Sequence, residues 1–460
     1  MFMEVVKILL TLVLFVGVVY ALNKKLSPAI TLTMAGFLAI LVGCLLNGNN
    51  LMGEESTGNL LFDIFEYFRR DAVVGTISKM GIRIMSILTY VAYMDHLKAT
   101  KMFALLASKP VMKLKNKYLL SGGALLLTAA LIIAIPNGTG RMAILIGTVY
   151  PIMLACGVTK ATAAVAIFAG AMYSWGPANP KIPTAAAYMG IEVNMVEYFL
   201  KIEWLWDILA IAVGILVYIL TSRFFDKKED AKTETEGYSG LTVESLGIPK
   251  WYAILPLVPI VLIIAFGGNL PSLPQMEIAA IEFMSFTFVF LFITLISKDK
   301  KQAWNDGNIF FTGLGNSLSR IVGIIIGATT FGAGITALGG IDLILQPVLN
   351  MSASNANLFI LITAILAVVV GVVSASDYVA NSVLGPVYAS FAASANLNVN
   401  GFLLLSVNAV QMCIALTPAT AHVALISEGS GVPINTIIKR ASLPILSSIA
   451  VYIIGTMVMV

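Results

Sequence analysis

Uncharged apolar stretches of about 18 to 22 residues recur from one end of the chain to the other, and nothing else in the sequence limits the fold so strongly. That is the length a helix needs to cross a hydrocarbon layer of roughly 30 Å. Backbone N–H and C=O groups in such a layer must be satisfied within the segment, which leaves helices for runs of this length. The windows fall at 5–22, 28–47, 80–98, 118–135, 142–155, 161–175, 203–222, 251–266, 276–297, 318–339, 355–373, 378–392, 401–416 and 441–459. With 58% hydrophobic and 11% charged residues, no composition remains from which to build a separate soluble domain. The expectation is an all-α polytopic membrane protein. Its N-terminus, MFMEVVKILL, lacks the basic stretch and cleavage site of a signal peptide and reads as a retained first span. Cys44, Cys156 and Cys413 are isolated in apolar runs and read as small buried hydrophobes, without a disulfide or metal pattern. The net charge of +4 calls for no nucleic-acid partner, since membrane proteins collect Lys and Arg in cytoplasmic loops.

Windows 142–155 and 378–392 are too short to cross comfortably. Each follows a longer window across a polar break, so each pair reads as a re-entrant helical hairpin. Charge placement agrees with that count. With Lys24 and Lys25 inside, non-crossing hairpins put the cluster from Lys98 to Lys117, then Lys160, Arg223 to Lys232, Lys298 to Lys301, Lys439 and Arg440 all on the cytoplasmic side. Arg69 and Arg70 are the misfits, and FDIFEYFRRDAVV around them reads as an amphipathic helix lying along the interface. The hydrophilic stretch 223–249 reads as a cytoplasmic linker.

The halves on either side of that linker repeat one another. ASKPVMKL at 107–114 corresponds to LQPVLNM at 345–351, each followed by an apolar run, a polar tip and a proline, Pro151 or Pro386. Broken segments WGPANPKIPTAA at 175–186 and LTPATAHVAL at 416–425 come next. Each half therefore has three spans, a hairpin, a broken span and a final span. The hairpin does not cross, so each half crosses an odd number of times, and the second is an upside-down copy of the first. Inverted repeats with discontinuous helices indicate a secondary transporter with its substrate near the midplane.

The breaks supply the candidate site. At the first tip, Asn137, Gly138, Thr139, Gly140 and Arg141 combine helix-end N–H groups, small polar side chains and a cation, a combination that receives a carboxylate. A membrane arginine carries a penalty of at least ~2.5 to 3.5 kcal/mol unless paired or hydrated. Two partners are open for it: a carboxylate ligand, or Asp377 at the second tip. Asp377 itself suits a coupling-ion site, the Arg141 partner or a counter-ion for a substrate amino group. Asn179, Ser374, Ser376, Thr417 and Thr420 complete the substrate candidates, and Asn137, Ser374, Asp377 and His422 those for a coupling ion, Na+ or H+. No other cofactor is expected. Tyr173 and Trp175 fit packing or a cavity wall. Asn381, Asn408 and Gln411 fit helix-to-helix hydrogen bonds or ligand contacts equally.

STGNLLFDIFEYFRR at 56–70, LLASKP at 105–110, WYAILPLVPI at 251–260, the tips NGTGR and SASD, LTPATAHVAL, and IIKRASLPIL at 437–446 together resemble the anaerobic C4-dicarboxylate carriers of the DcuC type, over essentially the whole chain. The resemblance implies an elevator-like carrier in the bacterial cytoplasmic membrane, commonly a homodimer. Its scaffold would comprise residues 1–117 and 250–354, its transport domain 118–222 and 355–460. The implied substrates are fumarate, succinate, malate or aspartate, moved by symport or exchange. Arg141 and Asp377 depart from the uncharged tips of that family, and a facing cation and anion suit a zwitterionic or otherwise altered substrate, so amino acids or another organic anion form the second reading. Channel, membrane enzyme and primary pump fare worse: a channel has no need of inverted broken repeats, and we find no HExxH, GxSxG, paired-aspartate or Walker motif.

Overall fold

The computed structural model describes residues 2–460 except 25, 49–50, 229–241, 268–271, 340–342, 344–355, 375–376 and 419. Among the described residues every regular element is helical. Five helices among the described residues are long and apolar enough to cross a membrane: Pro28–Asn47, Met195–Lys228, Ile278–Ile296, Val399–Leu416 and Ile434–Met459. Helices also occupy the other windows, among them Phe2–Asn23, Ile82–His96 and Asp377–Ala395, and Gly138–Ile146 and Val149–Ala155 form a pair bent by 44°. The bend falls where Gly147 and Thr148 separate them and Pro151, lacking an N–H, cannot complete the first turn's ladder.

Segments from opposite halves pack in matched combinations. Pro28–Asn47 lies on Gly323–Leu338, and Ile278–Ile296 lies on Ile82–His96; Trp204–Lys228 runs beside Ile434–Met459. The first of these contacts is made by glycine. A Cβ on Gly36 would stand 2.6 Å from Phe331 N, one on Gly43 2.5 Å from the Ala337 carbonyl carbon, and one on Gly334 2.5 Å from Ala39 Cβ. Within lipid, helices have little hydrophobic reason to associate, so this backbone-to-backbone approach supplies the attraction through van der Waals contact.

Three expectations change. The stretch around Arg69 and Arg70 is not a separate interfacial helix: Leu60–Tyr67 passes through π-turns at Phe68–Gly75 and Ile77–Gly81 into Ile82–His96 without a non-helical residue. Wide turns absorb the extra residues that would otherwise rotate the polar face into the apolar one. The linker begins later than residue 223, because the Trp204–Lys228 helix carries Arg223 to Lys228, and Asp226 is buried in an ion pair with Arg440 at 2.8 Å. Thr159 and Thr162 donate to the same Asp226 Oδ1. Finally, Cys156 is exposed just past Val149–Ala155, whereas Cys44 and Cys413 are buried. The segment 345–351, half of the alignment between repeats, lies outside the described residues.

Candidate functional site

Four helix interruptions meet in space, and local chemistry accounts for each. At the first tip the Lys117–Ala130 helix ends in a 3-10 turn, Leu131–Ile133, and Gly138–Ile146 starts with Asn137 as its cap. Asn137 Oδ1 accepts from Thr139 N at 3.1 Å and from the Thr139 hydroxyl at 2.7 Å. Asn137 is exposed and Gly138, Thr139 and Gly140 are half-buried, so the helix N-terminus remains approachable. In the next interruption, Lys160–Ala171 stops and Lys181–Met189 begins after Pro177 and Pro180, neither of which can donate to a helical ladder. Gly176, at φ +110, takes a conformation side chains disfavour. Asn179 holds the restart, accepting from Lys181 N at 3.1 Å and donating to Ser174 Oγ at 3.0 Å.

The second half has two interruptions of its own. The Ala356–Ser374 helix is followed, after residues 375–376, by Asp377–Ala395. Ser376 lies outside the described residues, as does the side chain of Ser374. Thr417 and Thr420 bracket the last interruption; both are buried, and Thr420 Oγ1 accepts from Val423 N at the start of Ala421–Ser430.

Lys181 Nζ pairs with Asp377 Oδ2, with side-chain exposures of 21% and 8%, and stands 5.0 Å over the Tyr378 ring. Both residues open helices, where the backbone carries a partial positive charge. Lys181 is therefore in an unfavourable place for a cation, and Asp377 supplies the anion that its own helix end and Lys181 both favour. The complementary contact joins the other two interruptions: a Cβ on Gly138 would lie 3.4 Å from His422 Nε2 and 3.0 Å from Ala171 O.

Of the two partners expected for Arg141, the bridge to Asp377 is not formed, and main-chain carbonyls take the guanidinium instead. Its side chain turns into the protein, 2% exposed, and donates to main-chain carbonyls: Thr128 at 3.0 Å, Ala171 at 2.9 Å and Tyr173 at 3.0 Å. Those oxygens belong to the C-terminal ends of two helices, where carbonyls lack intrahelical partners and carry partial negative charge. Arg141 thus caps two helices at once and fixes the first tip against the neighbouring interruption. It forms no bridge to Asp377, whose partner is Lys181.

Asn381 donates to Ser406 O at 3.0 Å, a helix-to-helix bond, while Gln411 is buried nearby. Tyr173 is buried and bonds Ser448 at 2.8 Å, and half-buried Trp175 donates to Ala129 O and stacks on Phe199. Sequence reasoning passed over Lys181, although it stands inside WGPANPKIPTAA. It also missed Glu203, Asp207 and Glu282, buried carboxylates in otherwise apolar windows, a contrast that would have flagged them. A cleft of about 600 Å³ lined by Phe283, Phe290, Trp304 and Phe310 includes none of the site residues, and its aromatic walls offer little to an anion.

The sequence pattern of the C4-dicarboxylate anaerobic carriers, DcuC, matches residues 6–460. The chain is 27% identical to a probable anaerobic C4-dicarboxylate transporter DcuC of Vibrio cholerae over 99% of this chain and 98% of that one. It is 24% identical to the anaerobic C4-dicarboxylate transporter DcuC of Escherichia coli K12, over 99% and 97%. Among solved structures, the YdaH transporter of Alcanivorax borkumensis superposes with a TM-score of 0.59 at 11% identity, covering 94% of this chain and 98% of its own. MtrF of Neisseria gonorrhoeae, described as illuminating a class of antimetabolite efflux pumps, also gives 0.59 at 12% identity, covering 96% and 97%. Near-complete coverage by the carrier pattern, over a helical membrane fold shared with transporters, establishes that this chain belongs to the DcuC family of anaerobic C4-dicarboxylate carriers.

Proposed function

We propose that the protein is a secondary active transporter of C4-dicarboxylates such as fumarate, succinate, malate or aspartate. It acts as a symporter or exchanger in the bacterial inner membrane. The observation that carries this reading is the meeting of helix N-termini at Lys181 and Asp377. Asp377 occupies the place an anionic ligand would take, so a substrate carboxylate can exchange with it on Lys181. The second carboxylate fits the approachable N-terminus at Asn137, Gly138, Thr139 and Gly140, with Arg141 adding positive field from beneath. Asn179, Thr417 and Thr420 complete the polar wall, and Ser374 and Ser376 remain substrate candidates by their place in the sequence at the junction of Ala356–Ser374 and Asp377–Ala395. Names of the relatives support the substrate class.

Matched packing between halves supports two inverted repeats, residues 1–222 and 250–460. The third span of each half lies on the second span of the other, and each tip touches the interruption of the other half, Asp377 on Lys181 and Gly138 on His422. On this reading the glycine-packed spans form a fixed scaffold, in a homodimer. The hairpins and broken spans ride along it as an elevator, coupled to Na+ or H+. A carrier of amino acids or another organic anion is the second reading, favoured by the cation and anion placed together.

Counterflow and uptake in proteoliposomes, with a panel of dicarboxylates and amino acids and with sodium and proton gradients imposed separately, test it. Saturable counterflow of succinate or fumarate is expected. An amino acid exchanging where neither dicarboxylate does would overturn the substrate assignment.

A further inference from the structure

We infer that Glu203 and Asp207 form the proton-binding site of the transport cycle, an inference that rests on the carrier reading. The pair stands one helical turn apart within Met195–Lys228, with Glu203 fully buried and Asp207 2% exposed. Glu203 Oε2 accepts from the Gly176 N–H at 3.3 Å and Oε1 from Asn408 Nδ2 at 3.2 Å, and Asp207 Oδ1 accepts from the Tyr452 hydroxyl at 3.0 Å. Asp207 Oδ2 has no hydrogen-bond partner among the described residues, nor do Asn408 Oδ1 and the Tyr198 hydroxyl, on side chains 1% and 3% exposed. Asn408 is aimed at the pair by its own bond to Glu203, and the field of both carboxylates reaches the Tyr198 hydroxyl on the same helical run.

The ionisable groups that face the pair are Tyr198 on its own helical run, Tyr452 on the C-terminal helix, and Tyr173, which faces Tyr452. No lysine, arginine or histidine among the described residues pairs with either carboxylate. Two neighbouring carboxylates in a dry interior without a cation cannot both stay ionised, so they share a proton. The surroundings favour a proton over a metal ion. Glu203 is met by N–H groups and Asp207 by a hydroxyl, a donor set that steadies one anionic carboxylate, while a cation needs several acceptor oxygens. The step is a plain protonation: an O–H bond forms on one carboxylate as water on one side loses a proton, and breaks again toward the other side.

The connection to the substrate site is short. Gly176 is in the same interruption as Asn179 and Lys181, so whatever loosens Glu203 from the Gly176 N–H shifts the strand of backbone that presents Lys181 to Asp377.

The test uses purified full-length protein in proteoliposomes loaded with a pH-sensitive dye, comparing wild type with Glu203→Gln and Asp207→Asn. An imposed pH gradient is expected to accelerate wild-type succinate uptake over its own counterflow rate. In Glu203→Gln that acceleration falls by about tenfold, within the range usual for coupling between two sites. Undiminished acceleration in both variants overturns the proposal, as does a wild type driven by sodium alone. An infrared carboxylic-acid band that titrates in wild type and vanishes in Glu203→Gln is expected in the purified protein. Its absence from wild type sinks the shared proton whatever the transport result, and its presence in a protein that exchanges no substrate would place the failure with the carrier reading. If Glu203→Gln does not fold, Asp207→Asn carries the same two readouts, since it removes the other carboxylate of the pair.

Discussion

Neutralising Lys181 alone, by Lys181→Met, leaves Asp377 as a buried carboxylate beside the first turn of its helix. The attraction that is lost can be bounded. Unit charges about 4 Å apart attract by roughly 4 kcal/mol at an effective dielectric of about 20. Breaking a buried pair from one side typically costs about 3 to 5 kcal/mol. Lys181 is 21% exposed in its side chain, so water recovers part of this, and a loss of about 2 to 3 kcal/mol is expected. Asp377→Asn should cost a similar amount, since it strands the ammonium at a helix N-terminus. The double variant Lys181→Met/Asp377→Asn strands neither charge and should lie within about 1 kcal/mol of wild type. Denaturant titration of the four proteins in mild detergent gives the cycle directly, with a coupling of about 3 to 6 kcal/mol expected from those losses. If the single losses add up in the double variant to within about 0.5 kcal/mol, the two side chains do not act as a unit and the reasoning is wrong. The same double variant should be folded yet unable to exchange succinate.

Arg141→Lys should lower folded yield, measured by size-exclusion of a fluorescent fusion. One ammonium on a shorter stem cannot serve carbonyls of two helices, and about 2 to 4 kcal/mol is at stake. Gly334→Ala should destabilise by about 1 to 3 kcal/mol because its Cβ meets Ala39 at 2.5 Å, whereas Gly315→Ala, with nothing within 4 Å, should be neutral or slightly stabilising in thermal melts. An impermeant maleimide should label Cys156 in native membranes opened from the cytoplasmic face, leaving Cys44 and Cys413 until the protein is denatured; labelling from the outer face would contradict a first hairpin that does not cross.

Helix positions and interruptions were legible because their causes are local. An apolar run must hydrogen-bond to itself in lipid, and Gly176, Pro177 and Pro180 close together stop a helix where the lone Pro386 and Pro444 are carried inside one. Partners were not legible in the same way. Arg141 bonds to carbonyls, which every residue possesses, so no side-chain identity marks Thr128, Ala171 or Tyr173 as its acceptors. Asp377 announced its need for a cation, but with Arg141 at a tip and Lys181 inside a proline-rich break, spacing alone could not choose between them. Arg440 read as one more cytoplasmic charge, and only the fold brings it to Asp226.

The ion pairs between halves also set a schedule for making the protein. Lys181 and Asp377 are separated by 196 residues, and Asp226 and Arg440 by 214. At about 5 to 20 residues per second, each early member emerges from the ribosome roughly 10 to 40 seconds before its partner exists. During that interval a nascent first half holds an unpaired lysine and an unpaired aspartate in or near the membrane. A chain truncated between residues 226 and 377 keeps both defects permanently, giving membrane proteases a chemical mark that distinguishes abandoned halves from finished carriers.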